Sequence, residues 1–302
     1  MKFALRDDDL NYFYSPSMIE ENIGDIWDIC PISMSVIPFV IGNWEENTRR
    51  LETFEPGNVS EDLVRLILDD TKIYDIAANQ ELVTYITEKM AERRVYLTLH
   101  GVHHRNSDPI LPEFKNNYAI GAEFFTSQDL TLKVIQAKFY LEKTFGQDFE
   151  VFTPPQNLYN YTGFKAIENS GLNICGYLPS VRNHISESIK ILGSSNYLKL
   201  LFHKLVNRNN SKIPFGGYMS CGRSKIIEHW ALQPGSDINQ LYSDFDKIYN
   251  AGFDFVLSTH SYGFKNKMTD SESLMGEVLR DFLVYASHKK DIQFVTLNKL
   301  FE

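Results

Sequence analysis

The residues best suited to chemistry are the histidines of the stretch LTLHGVHHR, which spans residues 97–105. His100 and His104 are four positions apart, so a single helical turn after the apolar run would direct both imidazoles at one point. Near the N-terminus, residues 7–9 are three consecutive aspartates, and a cation among them would relieve their mutual repulsion. Two imidazoles and one carboxylate are a familiar ligand set for a catalytic divalent metal that keeps a position open for water.

Each feature also has a simpler explanation that spacing alone leaves open. Consecutive aspartates usually belong to a solvated turn. His103, which lies between the other two histidines, is interpreted as a surface group or a support for the ligands. His260 is either a satisfied core histidine or a pocket residue. The pair His229 and Trp230 is explained more simply by packing than by lining a cleft.

Short apolar runs alternate with amphipathic stretches along the chain, which predicts strands alternating with helices. Because the runs are apolar throughout, the strands are expected to form a parallel sheet covered by helices. The expected strands occupy residues 2–6, 32–40, 95–99, 149–152, 172–177, 253–258 and 292–297. The expected helices follow apolar stripes at 82–90, 130–141, 164–169, 238–248 and 274–282. Ser127 is the expected N-cap of the second helix, and Gly146 is its expected end.

Polar residues follow four of the expected strands. In parallel α/β folds, catalytic groups lie at the carboxyl edge of the sheet, where the strands end. The polar strand ends are residues 6–9 (RDDD), 100–104 (HGVHH), 153–157 (TPPQN) and 259–263 (THSYG). Their coincidence predicts one site at this edge, with a divalent metal among its parts.

The chain of 302 residues has a formal net charge of −9, and its lysines and arginines are scattered. This pattern gives no reason to expect nucleic acid or an anionic membrane as a partner. No flexible linker divides the chain, so one domain over residues 1–302 is expected, with an insertion or a set of substrate-facing loops at 178–225. Cys30, Cys175 and Cys221 are far apart in apolar surroundings, which predicts buried free thiols.

The N-terminal residues MKFALRDDDL become acidic after six positions and contain no apolar signal segment. The most apolar run, SMSVIPFVIG, is too short to span a bilayer and contains Pro38. A soluble, cytoplasmic protein without membrane insertion is therefore expected.

The order of the polar strand ends resembles the polysaccharide deacetylase family, the carbohydrate esterases that share the NodB homology domain. Residues 6–10 (RDDDL) look like the first family motif, a strand ending in Thr-Phe-Asp-Asp-Gly. Residues 100–104 look like the second motif, in which two histidines stand four apart. Residues 152–157 (FTPPQN) are similar to the third, Arg-x-Pro-x-Gly, and residues 257–260 (LSTH) to the last, Leu-x-x-His. With the closing segment 294–301, the matches run in the family's order over nearly the whole chain.

The resemblance implies a fold and a role for each matching residue. The fold is a distorted (β/α) barrel of seven or eight strands. Asp9, His100 and His104 would hold the metal, Asp8 would be the general base, and His260 would be the general acid. The implied cofactor is a divalent metal, and Zn²⁺ suits two nitrogens and one oxygen best.

The chain departs from the family pattern in three places. Leu10 stands where the first motif has Gly, and Asn157 stands where the third motif ends in Gly. Thr153 replaces the Arg of the third motif, which in the family steadies the catalytic Asp. Arg6 lies two residues before Asp8, so the period of a strand turns both side chains to one face. We therefore expect Arg6 to do the work of the absent Arg.

The expected activity is removal of an N- or O-acetyl group from a saccharide, in polysaccharide biosynthesis or modification. Asp8 would take a proton from the attacking water, and His260 would protonate the departing amine. Pro155, Gln156 and Asn157 are the expected substrate contacts, with a backbone N–H near the first two holding the oxyanion. Side chains expected either to stack on a sugar ring or to lie in the core are Tyr159, Trp230 and Tyr262. The absent signal segment favours a nucleotide- or lipid-linked sugar over an external polymer.

Two alternatives stay open at this point. A metal hydrolase on the same barrel could cut another amide bond, and nothing in the motifs excludes it. A barrel that has lost catalysis could bind a saccharide or a partner protein. The altered third motif favours that second alternative, whereas the joint presence of Asp8, Asp9, His100, His104 and His260 opposes it.

Overall fold

The computed structural model of this protein describes residues 1–42, 70–105, 122–178, 185–206, 217–269 and 271–302. The strands are β1 (Lys2–Leu10), β2 (Ile32–Val36), β3 (Phe39–Ile41), β4 (Ile73–Asp75), β5 (Val95–Leu99), β6 (Val151–Phe152), β7 (Asn173–Cys175), β8 (Tyr218–Cys221), β9 (Ser224–Ile227), β10 (Trp230–Ala231), β11 (Phe255–Thr259) and β12 (Gln293–Phe294). The α-helices are α1 (Pro16–Ile23), α2 (Gln80–Ala91), α3 (Thr131–Phe145), α4 (Tyr161–Asn169), α5 (Ile185–Val206), α6 (Ile238–Asn250) and α7 (Met275–Ser287). Short 3-10 turns lie at Ile76–Ala78, Pro155–Asn157, Ser261–Gly263 and Leu297–Leu300.

Within the described residues, ten strands form one sheet in the order β10-β11-β1-β2-β5-β6-β7-β9-β8, with β12 joined to β1. Every pairing in this sheet is parallel except that of β8 with β9. The sheet curls into a half-barrel with helices on its outside, which confirms the predicted α/β barrel class. The short strands β3 and β4 form a separate antiparallel pair beside it.

Strand β1 lies between β11 and β2 in the sheet and sends alternate side chains to opposite faces. Phe3 faces outward and packs against Phe245, Phe255 and Phe282 on the helices and the neighbouring strand. Each fully buried ring of this kind stabilises the fold by about 1.5–3 kcal/mol. Ala4 faces the interior of the half-barrel, in a small buried cluster contributed by several strands and by the C-terminal 3-10 turn. The same alternation places the side chains of Arg6 and Asp8, two and four residues further along β1, on the interior face.

Several elements differ from the sequence expectations for clear physical reasons. The first strand continues to Leu10, so the three aspartates lie within it rather than after it. The expected strand at 32–40 breaks after Val36, because Pro38 cannot donate to a ladder. The Ser127 cap is wrong: α3 begins at Thr131, whose N–H is accepted by Asp129 Oδ1 instead.

Other expectations are confirmed. The strand at Val95–Leu99 has the expected bounds, and α3 ends at Gly146, which adopts a left-handed conformation (φ 67°). Cys30, Cys175 and Cys221 are buried free thiols.

The region at 178–225 contains more regular structure than its composition indicates. The described parts hold the 22-residue helix α5, which is broken at Gly193, and the β8–β9 hairpin. The rest of that region, 179–184 and 207–216, lies outside the described residues. None of the helices in the described part of the chain is both long and apolar enough to cross a membrane.

Candidate metal centre and active site

Three side chains converge at the carboxyl edge of the sheet. The Nε2 atom of His100 lies 3.0 Å from Asp9 Oδ1, and the Nε2 atom of His104 lies 3.1 Å from the same oxygen. Ligand atoms from these three residues all lie within 4.8 Å of one another. Asp9 and His100 are buried, and His104 is partly buried. The structure therefore brings together the three residues that the sequence nominated as metal ligands.

Local backbone geometry turns Asp9 toward the histidines. Between Asp7 and Leu10 the pairing of β1 with β2 shifts register, and Asp9 has a left-handed φ of 75°. This conformation is uncommon outside Gly, although Asp and Asn tolerate it better than most residues. The Asn11 side-chain amide donates to the Asp9 carbonyl oxygen at 2.7 Å, which holds the irregular turn.

The two histidines reach Asp9 through a bent loop, not through the expected helical turn. Gly101 and His104 have φ values of 71° and 67°, so the segment cannot be helical. The carboxylate of Glu123 accepts the backbone N–H groups of Val102, His103 and His104 at 2.9, 3.0 and 3.1 Å. Burial raises the pKa of Glu123 to about 7, against the effect of these three donors. Nothing in the local sequence marks Glu123, because its partners lie about twenty residues earlier in the chain.

The donor set fits a divalent cation. The Nδ1–H of His100 is directed at the Thr153 carbonyl oxygen at 2.8 Å, which leaves Nε2 as the ring nitrogen that faces Asp9. Burial would lower the pKa of His100, but the neighbouring Asp9 and Asp8 raise it. Burial lowers the pKa of His104, which favours the neutral, ligating form of its ring. Burial would raise the pKa of Asp9, but His104 and His100 hold it well below its usual range. Two imidazole nitrogens and one ionised carboxylate, buried together, match the protein ligands of catalytic zinc sites.

Asp8 lies beside this group and is held by two donors. Arg6 Nη2 donates to Asp8 Oδ2 at 2.7 Å, and the hydroxyl of Ser35 donates to Asp8 Oδ1 at 2.6 Å. Burial would raise the pKa of Asp8, but the Arg6 guanidinium lowers it to about 2. Asp8 is therefore ionised at any pH near neutrality.

The guanidinium of Arg6 is fully buried and bound on several sides. Its Nη1 donates to the Cys175 carbonyl oxygen at 2.9 Å, and its Nη2 donates to Asn157 Oδ1 at 3.2 Å. The ring of His229 lies against it, with nitrogens at 3.3 and 3.5 Å, and stacks on Tyr177 on its other face. His229 is thus packing around Arg6, which agrees with its simpler interpretation.

Two of the family departures fall at these contacts. Asn157, in place of Gly, supplies the amide oxygen that binds Arg6. Thr153, in place of Arg, lies with its hydroxyl oxygen 3.1 Å from His100 Nδ1. The polar side chains of the segment after β6 therefore contact Arg6 on β1 and His100 after β5.

His260 and Tyr262 approach from the end of β11. His260 Nε2 lies 3.6 Å from Asp9 Oδ2, and the Tyr262 hydroxyl donates to that oxygen at 3.2 Å. Asp7 accepts the N–H of Ser261 at 2.7 Å, which ties β1 to the turn that carries His260. Burial raises the pKa of Asp7 well above its usual range. From the sequence alone, Asp7 was only a member of the acidic run. In the structure it has a separate role, because it links β1 to the turn after β11.

The expected substrate contacts divide into two groups. Pro155, Gln156 and Asn157 form the 3-10 turn after β6, at the same edge, and the latter two have φ values of 54°. Proline has no N–H, so Gln156 is the residue of the first two that can offer a backbone donor. Tyr159 is 2% exposed and its hydroxyl donates to the Tyr177 carbonyl oxygen; Trp230 is 1% exposed, with its indole N–H directed at Asp244. Both rings are core side chains rather than stacking platforms, and Tyr262 contacts Asp9.

Comparison with known proteins gives matches in structure only. No protein-family model matches the chain, and neither does any curated protein sequence. Among solved structures, the chain is similar over its full length to a 4-alpha-glucanotransferase from Thermococcus litoralis, at 9% identity and a TM-score of 0.50. The chain spans 40% of that protein's length. This likeness shows the fold.

The chain is also similar to two solved structures of proteins named for carbohydrate esterase chemistry. One is a family 4 acetyl xylan esterase from Clostridium thermocellum, in complex with a cobalt ion. The match covers 100% of this chain and 90% of the esterase chain, at 12% identity and a TM-score of 0.42. The other is a proposed polysaccharide deacetylase from Mycobacterium smegmatis. The match covers 99% of this chain and 88% of the deacetylase chain, at 12% identity and a TM-score of 0.49.

Proposed function

We propose that this protein is a metal-dependent hydrolase that removes an acetyl group from a saccharide, and a divergent member of the polysaccharide deacetylase family. The observation that carries the proposal is the buried group of Asp9, His100 and His104, with Asp8 and His260 beside it at one edge of the sheet. These five residues come from three separate strand ends. A structural or binding role needs no such combination of two carboxylates and three imidazoles.

The proposed cofactor is a divalent ion held by Asp9, His100 and His104, with Zn²⁺ favoured by the two nitrogen donors. When bound, the ion supplies Lewis acidity that activates water and polarises the acyl oxygen. The hydrogen bond from His100 Nδ1 to Thr153 fixes the ring orientation and the tautomer that such an ion needs. Tyr262, which donates to Asp9, restrains the carboxylate in the same way.

The remaining residues have proposed roles in moving protons and holding the acyl group. Asp8 is ionised and is fixed in place by Arg6 and Ser35, so it is available to take the proton of the attacking water. His260 then gives its proton to the departing amine or alcohol. The backbone N–H of Gln156 is the proposed donor to the oxyanion. The strained backbone of the turn, with φ of 54° at Gln156, is typical of functional sites.

The altered third motif was the feature that favoured a barrel without catalysis. In the structure, Arg6 contacts Asp8 directly, so the carboxylate is not left without a basic partner. The proposal therefore assigns to Arg6 the positioning role that the family gives to the Arg of its third motif. This assignment removes the main reason to prefer a non-catalytic role.

The proposal is tested by metal content and by acetate release. The purified wild-type protein and His104→Ala are analysed for bound divalent metal after dialysis with Zn²⁺. We expect about one metal per wild-type chain and almost none in the variant. His103→Ala is the matched control, because His103 is in the same loop but contacts the Phe39 carbonyl oxygen instead of Asp9.

The metal-loaded protein is then incubated with acetylated chito- and xylo-oligosaccharides, and acetate is measured. Release that depends on His104 supports the proposal. Full metal binding without acetate from any acetylated saccharide would favour hydrolysis of another amide bond. A wild-type chain that binds no metal would contradict the proposal altogether.

A further inference from the structure

Glu123 is a buried acidic residue that the proposed reaction does not use. It is 3% exposed, and its two carboxylate oxygens accept three successive backbone N–H groups. Oε2 accepts from Val102 and His104, and Oε1 accepts from His103. These donors belong to the loop between the two histidine ligands. Such a carboxylate fixes the direction of three consecutive peptide groups at once.

Apart from Glu123, the loop is held by the Phe39 N–H, which donates to the Val102 carbonyl oxygen at 3.2 Å, and by an isolated bridge of Arg105 with Ala122. The loop is neither helix nor strand, and it ends with His104 in the left-handed region, at a φ of 67°. A non-glycine residue is uncommon in that region, so contacts around His104 must stabilise its backbone there. The contact from the His104 N–H to Glu123 Oε2, at 3.1 Å, fixes the peptide group that sets this angle.

Gly101 makes the approach of the carboxylate possible. A Cβ atom at this position would overlap Glu123 Oε2 and would lie 2.5 Å from Pro155 Cγ. The backbone there also has a φ of 71°, which glycine adopts without strain. Glycine at position 101 therefore leaves the space that the Glu123 carboxylate occupies.

We propose that Glu123 is a positioning residue that holds residues 102–104 so that His104 reaches the same point as His100 and Asp9. This inference rests on the proposed metal site, because it concerns how that site is formed. Among the described residues, the hydrogen bonds of Glu123 to this loop go to backbone N–H groups, so it is placed to act through His104. Its loss should weaken metal binding without removing any ligand.

The first experiment measures Co²⁺ affinity by competition with a chelator, together with the d–d absorption spectrum of the bound ion. Supporting groups around metal ligands typically change metal affinity by about 10- to 100-fold, and we expect that loss for Glu123→Ala. Glu123→Gln keeps one oxygen, which can still accept from Val102 and His104, so a smaller loss of about threefold is expected. A graded loss with an altered d–d spectrum is the expected signature of a displaced His104.

Glu168→Ala is the matched control for general destabilisation. Glu168 is also buried and also accepts the N–H of a turn residue, Arg223, at 2.9 Å, but this turn precedes β9 at the opposite edge of the sheet. We expect this variant to lose stability and to bind Co²⁺ as tightly as the wild type. An equal loss of affinity in both alanine variants would overturn the specific role of Glu123. Wild-type affinity in Glu123→Ala would overturn it as well.

A second measurement separates this inference from the metal site itself. Amide hydrogen exchange of residues 102–104 is followed in the metal-free proteins. Slow exchange in the wild type and fast exchange in Glu123→Ala is the expected result, and it does not depend on metal. Unchanged protection in the variant would show that Glu123 does not hold the loop. A wild-type protein that binds no Co²⁺ would overturn both the proposed function and the role of Glu123 in it.

Discussion

Replacing Arg6 with Ala tests the role of its ion pair with Asp8, the proposed general base. The buried guanidinium donates to Asp8 at 2.7 Å, to the Cys175 carbonyl oxygen at 2.9 Å and to the partly buried Asn157 at 3.2 Å. Removal of one partner of a buried ion pair costs about 3–5 kcal/mol, because the other charge stays buried and unpaired. We expect the free energy of unfolding to fall by that amount.

The same change should reduce turnover while the metal stays bound. Arg6 contacts Asp8 but makes no contact with Asp9, His100 or His104 among its hydrogen bonds. Loss of a positioned general base reduces rates by about 10²- to 10⁴-fold, and a base that is present but unrestrained should lie at the lower end, near 100-fold. Metal content per chain should remain that of the wild type.

Three assays and two comparison variants make the Arg6 prediction sharp. Urea unfolding gives the stability, elemental analysis gives the metal content, and acetate release gives the turnover. Arg6→Lys keeps a charge near Asp8 with fewer donors, so an intermediate loss is expected. Arg94→Ala, which removes an arginine paired with exposed Asp28 at 3.5 Å, should cost less than about 1 kcal/mol. Unchanged stability and turnover in Arg6→Ala, or loss of its metal, would refute the reasoning.

Two further predictions concern the scaffold. Burial would raise the pKa of Glu168, but Lys165 and the Arg223 N–H lower it. The charge of Glu168 therefore stabilises the fold above the unfolded pKa of about 4.5, and this contribution is lost as the pH falls further. Glu168→Gln should therefore be less stable than the wild type by about 1–2 kcal/mol at pH 7, with the gap in urea midpoints closing below about pH 4; a gap that widens in acid would contradict this sign. Gly163→Ala should destabilise the fold although alanine favours helices, because the new Cβ would overlap the Phe124 carbonyl oxygen. Gly235→Ala is the control: the nearest atom to its new Cβ is 3.9 Å away, so this variant should melt within a few degrees of the wild type.

The parts of the site that follow from short periods could be predicted from the sequence. Strand alternation placed Arg6 and Asp8 on one face, and the structure joins them. The rule that parallel strands present their ends at one edge brought residues 100–104 and 260 to residues 7–9. Both rules depend only on local geometry, which the hydrophobic pattern reveals.

The parts that depend on long-range contacts could not be predicted in this way. The helical turn between His100 and His104 was wrong because Gly101 and His104 adopt left-handed φ values, in a loop whose N–H groups bind Glu123 from a distant segment. Burial also decided between interpretations that the sequence left open. Tyr159 and Trp230 are buried with their polar atoms directed at Tyr177 and Asp244, and no local pattern distinguishes a covered ring from an open one.

The departures from the family pattern are best understood as one coupled change. A second buried guanidinium in the space beside Asp8 would have to share the carboxylate that Arg6 already binds at 2.7 Å, and the cost of its burial would then be poorly compensated. With Arg6 in that space, the position of the absent arginine accepts a smaller residue, and Thr153 turns its hydroxyl to His100. A glycine at 157 would leave one Arg6 donor without a partner, and Asn157 supplies the oxygen. Replacing Thr153 with Arg or Asn157 with Gly, one at a time, should therefore harm the site, because Arg6 already occupies the space beside Asp8 and needs the Asn157 oxygen.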